Sequence, residues 1–186
     1  MEDPTSAQRI SECGKALAIA TVPAFTSSAG VHIPTLIAAC ARMAGTYLFR
    51  SLSLDAGAAA PGDAVLSVQA KEGSPLLLRT CAGILNTLGT RIASEPGEPL
   101  GGEKSQPRQT FLETQAILDP LYAPAKTRFA LTDRQMAQAA AVAAGVLVHH
   151  FAKYVEPTRG FGIAAVAFAE GSQTMPAPPA ASRDAG

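Results

Sequence analysis

His149-His150, with Lys153 and Tyr154 about one helical turn further on, groups side chains that can carry protons or ligate a metal. Adjacent residues on a helix point about 100° apart, so the two imidazoles cannot grip one ion. A helical metal pair uses i, i+3 or i, i+4 spacing, and no Asp or Glu stands at those offsets from either histidine. On a helical wheel His149 falls with Arg134, Gln138 and Lys153, on the polar side. His150 falls at the edge of the apolar side, near Ala139, Ala143 and Val146. That leaves His150 and Tyr154, at i and i+4, as a polar pair able to line a pocket or an interface.

Arg42 and Arg50 are the second chemical feature. They sit on a narrow polar stripe with Thr35, Thr46 and Ser53, on a segment that is otherwise apolar or small. A half-buried guanidinium calls for a carboxylate or a phosphate, which makes these arginines candidates for an anion site between helices. The plainer reading is two arginines whose stems cover apolar surface while their heads reach water.

Two glycine strings resemble nucleotide motifs and fail on context. Gly97 to Ser105 has the form of a phosphate loop with one residue too many, and Glu103 inserts a carboxylate where the cradle must be positive. Gly160-Phe161-Gly162-Ile163-Ala164-Ala165 matches G-x-G-x-x-A, but a turn rather than a strand precedes it. It reads as a glycine turn opening a last element. Cys13, Cys40 and Cys81 lie far apart, an odd count without C-x-x-C, so neither a disulfide framework nor a zinc knuckle is indicated. Cys40 and Cys81 fall on apolar faces and are expected to be inert core residues. The absence of any E-x-x-H excludes the ligand set of a ferritin-like di-iron bundle.

The elements that would position these groups are helical. A first amphipathic segment spans about Thr5 to Thr21, with Ile10, Cys13 and Leu17 on one side, and Pro23 ends it. The striped segment spans Ile33 to Leu54, with Pro34 suited to its first turn. A third is expected to start with Ser74 as N-cap and Pro75 behind it, and to stop at Gly89. The preceding residues 64–71 fit helix or strand, and helix is favoured because no partner strand is evident. Residues 94–109 hold three prolines and three glycines and read as a surface loop, followed by a short helix from Thr110 to Leu118. Thr132 and Gln135 form a capping box for a helix running to about Val155. Residues 160–169 are again helix or strand, and their alanines favour helix.

Composition agrees with that picture. The chain has 186 residues, 47% hydrophobic but only 5% aromatic, enough for a single core built from small aliphatic side chains. Fifteen basic and 15 acidic residues give no net charge, so no footprint for nucleic acid or an anionic membrane is present. The longest apolar run, Ala139 to Val148, is too short to span a bilayer, and the acidic start Met1-Glu2-Asp3-Pro4 does not read as a signal peptide.

The expectation is therefore an all-α protein: a compact bundle of about five helices, with a Pro/Gly-rich loop and a disordered C-terminal tail. Residues 1–171 would form one helical domain and 172–186 the tail. Smooth faces at Ala137, Ala140, Ala141, Ala144 and Gly145, and at Ala38, Ala41 and Gly45, permit close packing within the chain or across a dimer axis. The preferred function is a non-catalytic helical module acting through protein–protein contacts, as a homodimer or with another protein, in the cytoplasm. The alternative is a small-ligand or anion-binding domain or enzyme with an interhelical pocket lined by Arg42, Arg50, His150 and Tyr154. No metal, cofactor, nucleic acid or membrane enters either reading.

Overall fold

The computed structural model describes residues 4–52, 58–93 and 106–178. Six helices follow one another along them: α1 (Pro4–Ala24), α2 (Ile33–Ser51), α3 (Val68–Thr87), α4 (Phe111–Arg128), α5 (Asp133–His150) and α6 (Pro157–Ser172). Between α1 and α2 lies a two-residue hairpin, β1 (Thr26–Ser27) paired antiparallel to β2 (Gly30–Val31). The all-α bundle expected from periodicity is the observed architecture.

α2 and α5 form the centre. From Pro34 to Phe49 every residue of α2 is buried, and α2 touches each of the other five helices. α5 presents Ala137, Ala140, Ala141 and Ala144 at zero exposure, packed mainly against α2, α1 and α3. The small residues let the backbones approach. A Cβ on Gly45 would stand 2.5 Å from Ser172 N, and one on Gly171 would meet the Arg42 carbonyl oxygen. A Cβ on Gly14 of α1 would sit 2.6 Å from the Ala139 carbonyl oxygen, and one on Gly145 would collide with Ile84 of α3. Gly160, near the start of α6, faces Ile37 near the start of α2, while Gly171 and Gly45 meet near their ends. The two helices therefore run parallel, and their N-termini lie at one end of the bundle.

Local chemistry explains most boundaries. Thr132 and Gln135 form the reciprocal cap of α5, and Thr110 with Glu113 forms another at the start of α4. Gly89 ends α3 at φ 75°, with Thr90 N–H donating to the Leu85 carbonyl (2.8 Å) and Gly89 N–H to that of Asn86 (3.0 Å), the Schellman pattern. The same pattern ends α4, but Ala130 occupies its left-handed position at φ 50°.

Several expected boundaries are corrected. α1 continues through Pro23 to Ala24. α3 begins at Val68, so Ser74 and Pro75 lie inside it; Ser74 Oγ lies 3.3 Å from Ser172 Oγ. Residues 64–67 are neither helix nor strand, apart from a single bridge between Ala64 and Thr174. α4 passes through Pro120 and Pro124 instead of stopping at Leu118. Ala116, Pro120 and Pro124 share one exposed face, where water can take up the carbonyls that the prolines leave unpaired, while Leu118 and Tyr122 are buried on the other. α5 stops at His150, short of Val155. Residues 160–169 lie within α6.

The expected tail from residue 172 begins with the last residue of α6. Gln173 and Met175 carbonyls then accept from Val65 N (2.7 Å) and Gly62 N (2.8 Å), and Pro176 is buried. Residues 173–178 thus pack as a strap against the loop before α3. Residues 179–186, and the phosphate-loop-like string at 97–105, lie outside the described residues.

Candidate functional site

The polar stripe of α2 anchors three separate pieces of chain. Thr35 Oγ1 accepts from Arg108 N (2.9 Å) and lies 2.7 Å from His32 Nδ1. Arg42 pairs in a fork with Glu170 of α6 (Nε–Oε2 2.7 Å, Nη2–Oε1 3.1 Å), and its Nη1 donates to the Gln109 carbonyl (2.6 Å) and to Thr114 Oγ1 (3.2 Å). Arg50 pairs in a fork with Asp119 of α4, both bonds 3.1 Å, donates to the Ala177 carbonyl of the strap (3.2 Å), and lies over the Tyr47 ring at 5.2 Å. Ser53 lies outside the described residues.

The two arginines therefore bind carboxylates of the chain itself. Among the described residues they make no hydrogen bond with His150 or Tyr154, and neither lines the cleft that Tyr154 lines. His150 is exposed and meets Phe151 edge-on at 4.9 Å. Tyr154 is 77% exposed in the turn after α5, because the helix ends before it and the expected i, i+4 register is lost. His149 is also exposed, with Nδ1 2.6 Å from Thr90 Oγ1.

Tyr154 does line a cleft of about 610 Å³, where the N-terminal ends of α2 and α6 come together. Its walls are β2 and the first turn of α2, Arg108, the turn after α5, and the first turns of α6. This volume lies within the range of small-molecule sites. Arg108, Arg159 and His32 line it, with one carboxylate, Glu156. Burial raises the Glu156 pKa, but hydrogen bonds from the Thr158 and Arg159 backbone N–H groups and the Thr158 hydroxyl outweigh that and hold it below the usual range. Its oxygens cap α6 at 2.9 and 2.8 Å, so its charge answers that helix's own dipole. The start of α2 has no such carboxylate: His32 is its N-cap and its side chain makes no capping bond. Arg108 is exposed, and its guanidinium makes no hydrogen bond or ion pair with any described residue. Its position is set from behind, by Thr35 on its own N–H and by Arg42 on the carbonyl of the next residue. Arg42 is thus a clamp behind the cleft wall.

Sequence reasoning found Tyr154 and missed His32, Arg108 and Arg159. The available signal was a polar N-cap residue just ahead of a proline at two helix starts, His32-Ile33-Pro34 and Glu156-Pro157; it marks His32 and Glu156, and neither Arg108 nor Arg159 carries it. That the two starts are neighbours is a fact of tertiary structure. A smaller hollow of about 140 Å³, lined by Pro107 and Ile163 among others, lies beside the Arg42–Glu170 pair.

The cysteines sit in the core. Burial pushes the Cys40 and Cys13 thiols up to about 11 and the Cys81 thiol to about 12. Cys40 also contacts the buried Tyr122 hydroxyl (3.2 Å). No group of three or more His, Cys, Asp or Glu among the described residues could hold a metal ion, and no helix among them is long and apolar enough to cross a membrane. Gly160 to Ala165 lie in the first turns of α6, which a turn and not a strand precedes. Comparison of the chain with protein-family models, curated proteins and solved structures finds no match.

Proposed function

We propose that the protein is a helical small-ligand-binding domain that receives an anion in the cleft between the starts of α2 and α6. The observation that carries this reading is the Arg108 guanidinium: without a partner among the described residues, it lines a cleft of about 610 Å³ together with Arg159. Arginine's planar fork suits carboxylate and phosphate, and hydrogen bonds to charged groups are the stronger class. Binding rather than turnover is favoured, because the histidine and the carboxylate that line the cleft are both engaged at their own helix starts. His32 contacts Thr35, and Glu156 holds the α6 amides. Three buried, unpaired thiols suit a reducing compartment such as the cytoplasm.

The small-residue faces that suggested a homodimer are buried inside the chain, at Ala38 and Ala41 as at Ala137 to Ala144. What remains exposed and large, such as Ile19, Leu66 and Val166, sits on different elements. The ligand reading is tested by a proton–nitrogen correlation titration with inorganic phosphate. Shifts grouped at Ile33, Thr35, Arg108 and Thr158 to Ile163 support it. Shifts scattered over exposed Lys15, Arg79 and Arg91, or none, overturn it.

A further inference from the structure

The cleft is not uniformly charged. Val31 and Ile33 flank His32 on one wall, Ile163 lies about one helical turn beyond Arg159 on another, and Tyr154 stands at the edge. A water occupies about 30 Å³ of liquid, so the cleft has room for roughly twenty of them. A bare tetrahedral anion would engage the arginines and leave most of that volume, and all of the aliphatic wall, in contact with water. Apolar wall of this kind gains free energy only when a ligand covers it.

We propose that the ligand is an amphipathic anion: a carboxylate or phosphate monoester joined to a compact aromatic or aliphatic body. This rests on the anion reading of the same cleft and adds the chemistry of the rest of the molecule. The anionic head lies at Arg108 and Arg159. The body lies along Val31, Ile33 and Ile163, with the Tyr154 ring against its outer face. Tyr154 is suited to that place because an aromatic ring with a polar tip covers an apolar body while its hydroxyl stays wet. The ring is now 77% exposed, its nearest aromatic neighbour being Phe151 at 6.5 Å.

The experiment is isothermal titration of the full chain with phenyl phosphate, phenylacetate, inorganic phosphate and benzyl alcohol. Covering a phenyl-sized body is worth at least about tenfold in affinity, so one of the two aryl anions binds at least that much more tightly than inorganic phosphate. Benzyl alcohol, with the body and no charge, does not bind measurably. The tighter of the two aryl anions identifies the head group. Tyr154→Ala, at an exposed position, weakens the aryl anions more than it weakens inorganic phosphate; an equal effect on both would remove the ring from the body's face. Arg108→Ala weakens every anion. Aryl anions no tighter than inorganic phosphate overturn the amphipathic assignment and leave the anion site standing. Benzyl alcohol binding as tightly as the aryl anions, or no binding by any probe, overturns the anion reading and this assignment with it.

Discussion

Replacing Gly45 by alanine and replacing Gly83 by alanine make the same chemical change in two helices and are expected to act in opposite directions. In an open helix the change stabilises by roughly 0.5–1 kcal/mol, because alanine loses less backbone freedom on folding. Gly83 meets that condition: it is exposed, and a Cβ there has nothing within 4 Å. At Gly45 the new carbon would stand 2.5 Å from Ser172 N and 2.6 Å from the Phe168 carbonyl oxygen, both backbone atoms of α6. No rotamer change relieves that, so α2 and α6 must separate. Their separation loosens the Arg42–Glu170 fork beside the contact and exposes part of the alanine-rich core. Overpacking of this kind costs about 1–3 kcal/mol, and an immovable obstacle places the net loss near 2–3 kcal/mol. For a chain of this size about 1 kcal/mol moves the melting temperature by roughly 2–4 °C. Thermal unfolding followed by far-ultraviolet circular dichroism should thus show Gly83→Ala melting a few degrees above the parent and Gly45→Ala at least about 4 °C below it. A Gly45→Ala variant as stable as the parent would refute the close parallel packing of α2 on α6, and with it the pairing of their N-termini around the cleft.

Asp119→Ala leaves the Arg50 guanidinium, whose side chain is 14% exposed, without its carboxylate, and is expected to cost about 3 kcal/mol in urea unfolding. The double variant Arg50→Met, Asp119→Leu should recover most of that loss, and a loss under about 1 kcal/mol for the single variant would mean the pair behaves as a surface pair. Ala130→Gly relieves the left-handed backbone at φ 50° that ends α4, and should raise stability by up to about 1 kcal/mol in the same assay; a decrease would contradict the strain. The thiol pKa values set a direction in alkali. The unfolded chain releases protons near pH 9.0, while folded Cys40 and Cys81 keep theirs to about 11 and about 12. Stability should fall as pH rises through that window, by about 1.4 kcal/mol per pH unit for each thiol, and less steeply between pH 9 and 10 in Cys81→Ala. Light scattering should report a single chain; a stable dimer would restore the protein-contact reading.

The helical character of the chain was legible because local signals agreed with one another. The Thr132–Gln135 cap, Gly89 as terminator and the one-sided polarity of α2 all act where they were read. α4 was underestimated because Pro120 and Pro124 are helix breakers by local rules, and only the burial of Leu118 and Tyr122 on the opposite face shows why the helix continues. The strap at 173–178 looked like a tail because its own backbone makes the anchoring bonds, to backbone groups near residues 62–65 and to the Arg50 and Gln115 side chains, and such pairing leaves no mark in the strap's composition. The arginines illustrate the same limit. An unusual cation on an apolar helix was visible, but the carboxylate that answers Arg42 is 128 positions away, and that of Arg50 is 69. Arg108 carries no local pattern at all. It becomes significant only because Thr35 and Arg42, both on the visible stripe, hold its segment at the cleft.

Diffraction from crystals soaked in selenate, recorded at the selenium edge, places a tetrahedral anion on the protein directly. The strongest anomalous peak is expected in the cleft, within hydrogen-bond reach of the Arg108 and Arg159 guanidiniums, and absent from Arg108→Ala crystals. Peaks at other surface cations with none between the starts of α2 and α6 would contradict the account.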